Sequence, residues 1–160
     1  MKDKEQKTIV EKLLEKKKIP HESYSYPNDR AYDGVTVASF IGRPAEQVFK
    51  TLVCTGNKGN CVFVIPVGRE LDLKKAAKAS GQKYVEMLKQ KDLLPTTGYV
   101  HGGCSPIGMK KPFPTYVDES CLGFDSIIFS AGRIGRQVQL SIEDLKRLTG
   151  AVTAPLTKEE

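Results

Sequence analysis

FKTLVCTGNKGNCVFVIPV, residues 49–67, sets two β-rich runs, Phe49 to Cys54 and Cys61 to Val67, on either side of Thr55-Gly56-Asn57-Lys58-Gly59-Asn60. β-Branched and aromatic residues favour strands, and asparagine with glycine favours tight turns, so the stretch reads as a β-hairpin. Downstream, Asp72 is placed to cap a helix through Ser80 with Gly81 at its end. Lys83 to Met87 reads as a strand, and Leu93-Leu94-Pro95 ends another helical turn. Thr115 to Asp118 and Ser126 to Ser130 read as strands, Ala131 to Arg136 as a turn, and Gln137 to Leu140 as a returning strand. Ser141 starts a last helix, with Asp144 in the capping-box position and Gly150 as its end.

Upstream of the hairpin, Ile9 with Leu13 and Val10 with Leu14 stand at i,i+4 among Lys and Glu, the pattern of an amphipathic helix over residues 5–17. His21 to Tyr26 reads as a strand with Tyr24 and Tyr26 on one side, closed by Pro27-Asn28-Asp29. A short helix over Val35 to Ile41 stops at Gly42-Arg43-Pro44, before a helical turn at Ala45 to Val48. Helices and strands mix without βαβ alternation, which points to an α+β fold: a mixed, largely antiparallel twisted sheet with flanking helices.

The 160 residues, 39% hydrophobic and 28% charged, suit one cored domain over 1–160, with 151–160 expected to fray after the last helix. The longest apolar run, Cys61 to Val67, spans seven residues and contains a proline, against about twenty for a membrane helix. The amino-terminal MKDKEQKTIVEKLLEKKK lacks the apolar stretch of a secretory signal, so a cytoplasmic protein is expected. Four cysteines with no C-x-x-C and only two histidines suggest reduced thiols and no metal site or cofactor. The net charge of +6 makes an anionic partner more attractive, although a solvated lysine-rich surface gives the same count.

Two features could carry chemistry. Lys50 interrupts an apolar strand, where an ammonium lies at an edge, snorkels to water or lines a cleft for a phosphate or carboxylate. Gly102-Gly103-Cys104-Ser105-Pro106-Ile107-Gly108, inside an irregular but valine- and isoleucine-bearing stretch from Gly98 to Pro114, lets backbone N–H groups approach a carbonyl oxygen. Cys104 follows His101 by three residues and could be a thiolate, or simply a buried cysteine. No dinucleotide fingerprint, P-loop or G-x-S-x-G elbow is present, and few aromatics are placed for base stacking.

Phe49-Lys50-Thr51-Leu52, Leu71-Asp72-Leu73-Lys74-Lys75, Thr97-Gly98-Tyr99, Gly102-Gly103-x-Ser105-Pro106-x-Gly108 with Lys110-Lys111, and Ser130-Ala131-Gly132 together resemble the YbaK/EbsC family of Cys-tRNA(Pro) deacylases over residues 5–150. The resemblance implies a trans-editing enzyme that removes cysteine mischarged onto tRNA(Pro) beside prolyl-tRNA synthetase, on a compact mixed α/β domain. It implies that Lys50 contacts the tRNA end near the ester and that Gly102 and Gly103 wall the aminoacyl carbonyl. Tyr26, Thr51, Ser105, Pro106, Ser130, Gly132 and Gln137 are then the substrate-binding positions. Gln137 stands where some relatives carry aspartate, so no general-base role transfers to it. The family mechanism, attack by the substrate's own thiol on its ester, needs no protein nucleophile. An Ala-tRNA(Pro) deacylase of the same fold and a non-catalytic tRNA- or synthetase-binding module are the alternatives, and neither membrane nor DNA is expected as a partner.

Overall fold

Helix ends in this chain fall where side chains cap them. The computed structural model describes residues 7–159, and α1 (Ile9–Lys16) opens on Thr8, whose hydroxyl accepts from the Glu11 N–H while the Glu11 carboxylate accepts from the Thr8 N–H. The expected start of this helix at Glu5 lies outside the described residues. Strand β1 (Glu22–Ser25) is followed by α2 (Gly34–Ile41), capped by Asp33 and ended by a left-handed Gly42, and by a 3-10 turn at Ala45–Gln47. The central hairpin is β2 (Phe49–Gly56) with β3 (Gly59–Pro66). Its register closes at Gly56 opposite Gly59, so the turn is only Asn57-Lys58 and the strands run further than expected.

Helix α3 (Leu73–Ser80) takes its cap from Asp72 and ends at Gly81, as the sequence predicts, and β4 (Val85–Met87) follows. Helix α4 (Gln90–Thr97) runs through Pro95 instead of stopping there. Proline removes one backbone donor, but the last turn is closed by the Gly98 N–H on the Leu94 carbonyl and the Thr97 hydroxyl on the Leu93 carbonyl. Then come β5 (Thr115–Asp118), a 3-10 segment at Glu119–Gly123, β6 (Ser126–Ser130), β7 (Arg136–Ser141), α5 (Ile142–Thr149) and β8 (Val152–Ala154).

The strands form two sheets, ordered β4-β2-β3-β5-β8 and β1-β7-β6. Among the described residues four of the six pairings are antiparallel, and β3–β5 and β5–β8 are parallel, giving the mixed, largely antiparallel α+β architecture. The sheets meet where Val48 bridges Ile128 and the Gln47 amide donates to the Ser126 carbonyl. Period-two alternation sorts the side chains of the larger sheet between two cores. Val53, Val62, Val64 and Val117 pack with Ile127, Phe129, Val138, Leu14 and Leu145, while Cys54, Cys61, Phe63 and Ile65 pack with Ala76, Ala77 and Leu156.

Residues 151–159 are not frayed. β8 pairs with β5, Leu156 is fully buried, its N–H donates to the Asp118 carboxylate, and the Asp72 N–H donates to its carbonyl. Ala151, Val152, Ala154 and Leu156 are too few and irregularly spaced to give a periodicity, so this docking was invisible in the sequence.

A buried ion pair ties α1 to the smaller sheet. Glu11 is 1% exposed and Arg136 9%; they meet at 2.5 Å, and the Arg136 Nη1 also donates to Ser25 Oγ. Burial alone would raise the Glu11 pKa, but the Thr8 N–H and the Arg136 guanidinium hold it below the usual carboxylate range. Glu11→Ala is expected to lose about 3–5 kcal/mol in urea unfolding, because it strands a buried cation. A depressed carboxyl adds stability above its unfolded pKa and loses it as pH falls through the folded value. The gap between wild type and Glu11→Ala therefore narrows on acidification; a gap constant down to pH 2 would contradict the assignment.

Candidate active site

Segments from across the chain converge on one cleft of ≈ 340 Å³, among them the start of β2 (Phe49–Leu52), the start of α2 with Asp33, the loop at His101–Cys104, and the facing ends of β6 and β7. Six of the sequence-predicted positions line it: Tyr26, Lys50, Thr51, Gly102, Ser130 and Gln137. Ser130 and Gln137 lie opposite each other in the β6–β7 ladder, which explains how residues of two segments reach one wall.

Lys50, opposite Ile65 in the hairpin, is half-buried and has no hydrogen bond or ion pair among the described residues. Burial lowers its pKa from the ordinary lysine value, against a weaker opposite pull from Glu70. Beside it, Thr51 Oγ1 and Gln137 Oε1 are buried without a hydrogen-bond partner. Each such orphan costs about 1–3 kcal/mol, and orphans in a cleft wall suit a ligand carrying N–H or O–H donors. Asp33 lines the cleft as well, but it accepts from the Thr36 N–H as the α2 cap, and that bond holds its carboxyl below the usual range.

The glycine loop divides its labour. Gly102 has φ +90°, and a Cβ there would sit 2.9 Å from the Ala31 Cβ, so only glycine fits this wall; its N–H has no partner among the described residues. Gly103 faces away: its N–H donates to the Val100 carbonyl, and a Cβ would meet the Ile134 nitrogen at 3.1 Å. It supports the loop and has no donor left for a carbonyl. Ser105 is fully buried and accepts from the Ile107 N–H, Pro106 is buried beneath the loop, and Gly132 donates to Ser130 Oγ. These four positions, Gly103, Ser105, Pro106 and Gly132, do not line the cleft; they brace it, together with the Tyr99 hydroxyl donating to the Ile107 carbonyl at 2.6 Å.

Cys104 touches the cleft but is buried, and burial pushes its thiol up to about 12. That burial keeps it a protonated thiol at neutral pH, with no thiolate for His101 to stabilise. No group of three or more His, Cys, Asp or Glu among the described residues is arranged to hold a metal ion.

An aromatic cluster that no sequence pattern marks stands at the cleft mouth. Tyr26 stacks on Phe40 (6.4 Å between centroids, 15° between planes), Tyr32 meets Phe40 edge-on at 5.0 Å, and the Arg30 guanidinium lies 4.7 Å over the Tyr32 ring. The turn after β1 folds back against α2 and so gathers rings that are far from any stacking motif in the chain. Tyr32, Val37 and Leu93 also line the cleft without having been singled out, and so does His101, which the sequence marked only as a neighbour of Cys104.

Residues 29–148 match the aminoacyl-tRNA editing domain family. The chain is 48% identical over 158 residues, 98% of its length and 96% of the other's, to an Enterococcus faecalis protein named as a candidate Cys-tRNA(Pro)/Cys-tRNA(Cys) deacylase. It is 30% identical over 109 residues to the proline–tRNA ligase of Thermosipho africanus, a match that covers 68% of this chain and 18% of the ligase. It superposes on the crystal structure of a candidate trans-editing enzyme for prolyl-tRNA synthetase with TM-score 0.83 and 27% identity, over 94% of this chain and 95% of that one.

Burial raises all four thiols, Cys54 to about 12, Cys104 to about 12, Cys121 to about 11, and Cys61 upward. At pH 8 a thiol reagent should therefore label the folded protein slowly and the urea-unfolded protein at all four positions. Labelling of folded Cys104 as fast as a free thiol would contradict this description.

Proposed function

The chain belongs to the aminoacyl-tRNA editing domain family, and we propose that it acts in trans as a deacylase that clears cysteine mischarged onto tRNA(Pro), with the substrate's own thiol as nucleophile. The observation that carries the chemistry is a cleft with an unpaired lysine and no activated protein nucleophile: Cys104 is protonated and Asp33 is engaged as a helix cap. In the proposed step the cysteinyl sulfur bonds to its ester carbonyl carbon and the bond to the ribose oxygen breaks. The thiol proton passes to that oxygen, and water opens the resulting thiolactone to free cysteine.

The protein's task is then orientation and charge stabilisation. Lys50 faces the developing negative charge at the ester, Gly102 offers its N–H and lets the substrate approach closely, and Tyr26 and Ser130 border the aminoacyl group. Thr51 Oγ1 and Gln137 Oε1 accept from the substrate's ammonium. Alanine has no thiol and serine only a weaker nucleophile, so selectivity follows from the reaction itself. Editing is needed because pockets separate ligands as close in size as cysteine and proline by only about 10–200-fold.

Kinship with part of a proline–tRNA ligase supports prolyl-tRNA synthetase as the working partner that selects the tRNA. The net charge of +6 supports salt-dependent phosphate contacts with little sequence preference. The place of work proposed is the cytoplasm; no helix of the described residues is long and apolar enough to cross a membrane. A second reading has His101, also in the cleft wall, activate water, which would extend release to alanine.

Lys50→Ala is expected to lower kcat/KM on Cys-tRNA(Pro) by about 10²–10³-fold, while Cys104→Ser stays within a few-fold of wild type and Ala-tRNA(Pro) remains charged. Rapid release of alanine, abolished in His101→Ala, would favour the water mechanism instead. The pH profile gives a further check. Lys50 acts as a cation with a lowered pKa, so the rate falls as pH rises through a value below the ordinary lysine range, and Lys50→Arg removes that alkaline limb. A limb unchanged by Lys50→Arg would assign it to another group.

A further inference from the structure

Phe40 is a large apolar ring left 46% exposed, and the reaction chemistry does not use it. It follows Val37, which lines the cleft, by three residues, so the two share one face of α2 and Phe40 stands at the rim. Its ring neighbours are two cleft-lining tyrosines: Tyr26 lies near-parallel to it and Tyr32 meets it edge-on. The Tyr32 hydroxyl donates to the Asp29 carboxylate, which fixes that ring's angle, and the Arg30 guanidinium covers one Tyr32 face. The tyrosines are half-buried and Phe40 is exposed, so Phe40 is the ring this cluster holds open to solvent. Tyr84, the other exposed aromatic among the described residues, lines neither this cleft nor its neighbour.

We propose that Phe40, held in place by Tyr26 and Tyr32, stacks the terminal adenine of the tRNA. The inference rests on the deacylase reading, which puts the ester in the first cleft beside Lys50 and Gly102. That ester is made to the ribose of the last nucleotide, so the base lies one sugar ring away from the reacting carbonyl, at the cleft mouth. Every base has a flat π-face, and exposed aromatic rings are where proteins stack an unpaired one. An adenine on Phe40 covers the ring from water and meets a surface whose angle its neighbours have already set. Room for the rest of the tRNA strand lies beyond Tyr26, in a second cleft of ≈ 430 Å³ bordered by Pro27, Asn28 and the β6–β7 turn through Arg136. The stack anchors the nucleoside and takes no part in bond making, so it acts on KM and leaves kcat unchanged.

The test compares 3′-O-cysteinyl-adenosine with the matching cysteinyl ester of 1-deoxyribose, which keeps the ester and the sugar but has no base. In wild type the KM of the adenosine ester is expected to lie about tenfold or more below that of the baseless ester, the worth of one stacked base. Phe40→Leu keeps apolar bulk without a flat ring. It should raise the KM of the adenosine ester about tenfold, with kcat and the baseless ester held within about twofold, while Phe40→Tyr stays near wild type. Equal KM values for the two esters in wild type, or an equal rise of both in Phe40→Leu, overturns the proposal. A rise for Cys-tRNA(Pro) with none for the adenosine ester also overturns it, because another part of the tRNA then meets the ring. Where the small esters do not turn over, titration of 2-aminopurine riboside decides. Quenching of its fluorescence by wild type, lost in Phe40→Leu, supports the stack; an unquenched signal, or quenching kept in Phe40→Leu, overturns it. The wild-type comparisons stand even if the variant melts early. Failure of wild type to release cysteine from Cys-tRNA(Pro) counts against the deacylase reading alone.

Discussion

The buried pairing of Glu11 with Arg136 governs where the functional walls stand. Arg136 begins β7, and the next residue, Gln137, points into the first cleft while Arg136 borders the second. Side chains alternate along a strand, so a slip of one residue would exchange an arginine and a glutamine between those environments. A desolvated ion pair adds little net stability over an apolar substitute, but it penalises the wrong register heavily, because a slipped Arg136 would leave Glu11 buried and unpaired. The Thr8 capping box holds Glu11 in place, and Ser25 binds the other side of the guanidinium, so one contact fixes α1, β1 and β7 together.

The same logic of buried polarity shapes the candidate cleft. A lysine in an apolar strand, a threonine hydroxyl and a glutamine carbonyl without partners are unfavourable in the free protein. Their cost is offset by apolar packing elsewhere in the fold. Polar groups kept short of partners are prepared for a ligand that supplies them, which fits a reaction requiring placement and charge stabilisation more than covalent participation by the protein.

Local chemistry was legible in the sequence, and non-local geometry was not. Asp72 and Gly81 bounded α3 correctly because capping involves only neighbouring residues, and the Asn57-Lys58 hairpin lay within the predicted turn. The parallel docking of β8 on β5 joins Tyr116 to Val152, partners that no periodicity links. Within the candidate site, Lys50 stood out as a charge in an apolar strand, and Gly102 lines the same cleft. Gly103 looked equivalent to Gly102 on paper, yet its N–H is taken by Val100, a distinction set by loop conformation. The aromatic mouth escaped notice because Tyr26, Tyr32 and Phe40 meet only when β1 and α2 fold against each other.

If the substrate provides its own nucleophile, the decisive atom lies outside the protein. The direct measurement is the rate of amino-acid release from Cys-tRNA(Pro) and from S-methylcysteinyl-tRNA(Pro), whose sulfur is nearly unchanged in size but carries no proton and cannot close a neutral thiolactone. The account predicts rapid release of cysteine and an S-methyl ester that decays no faster than it does without protein. Release of both at similar rates would show that water or a protein group performs the attack.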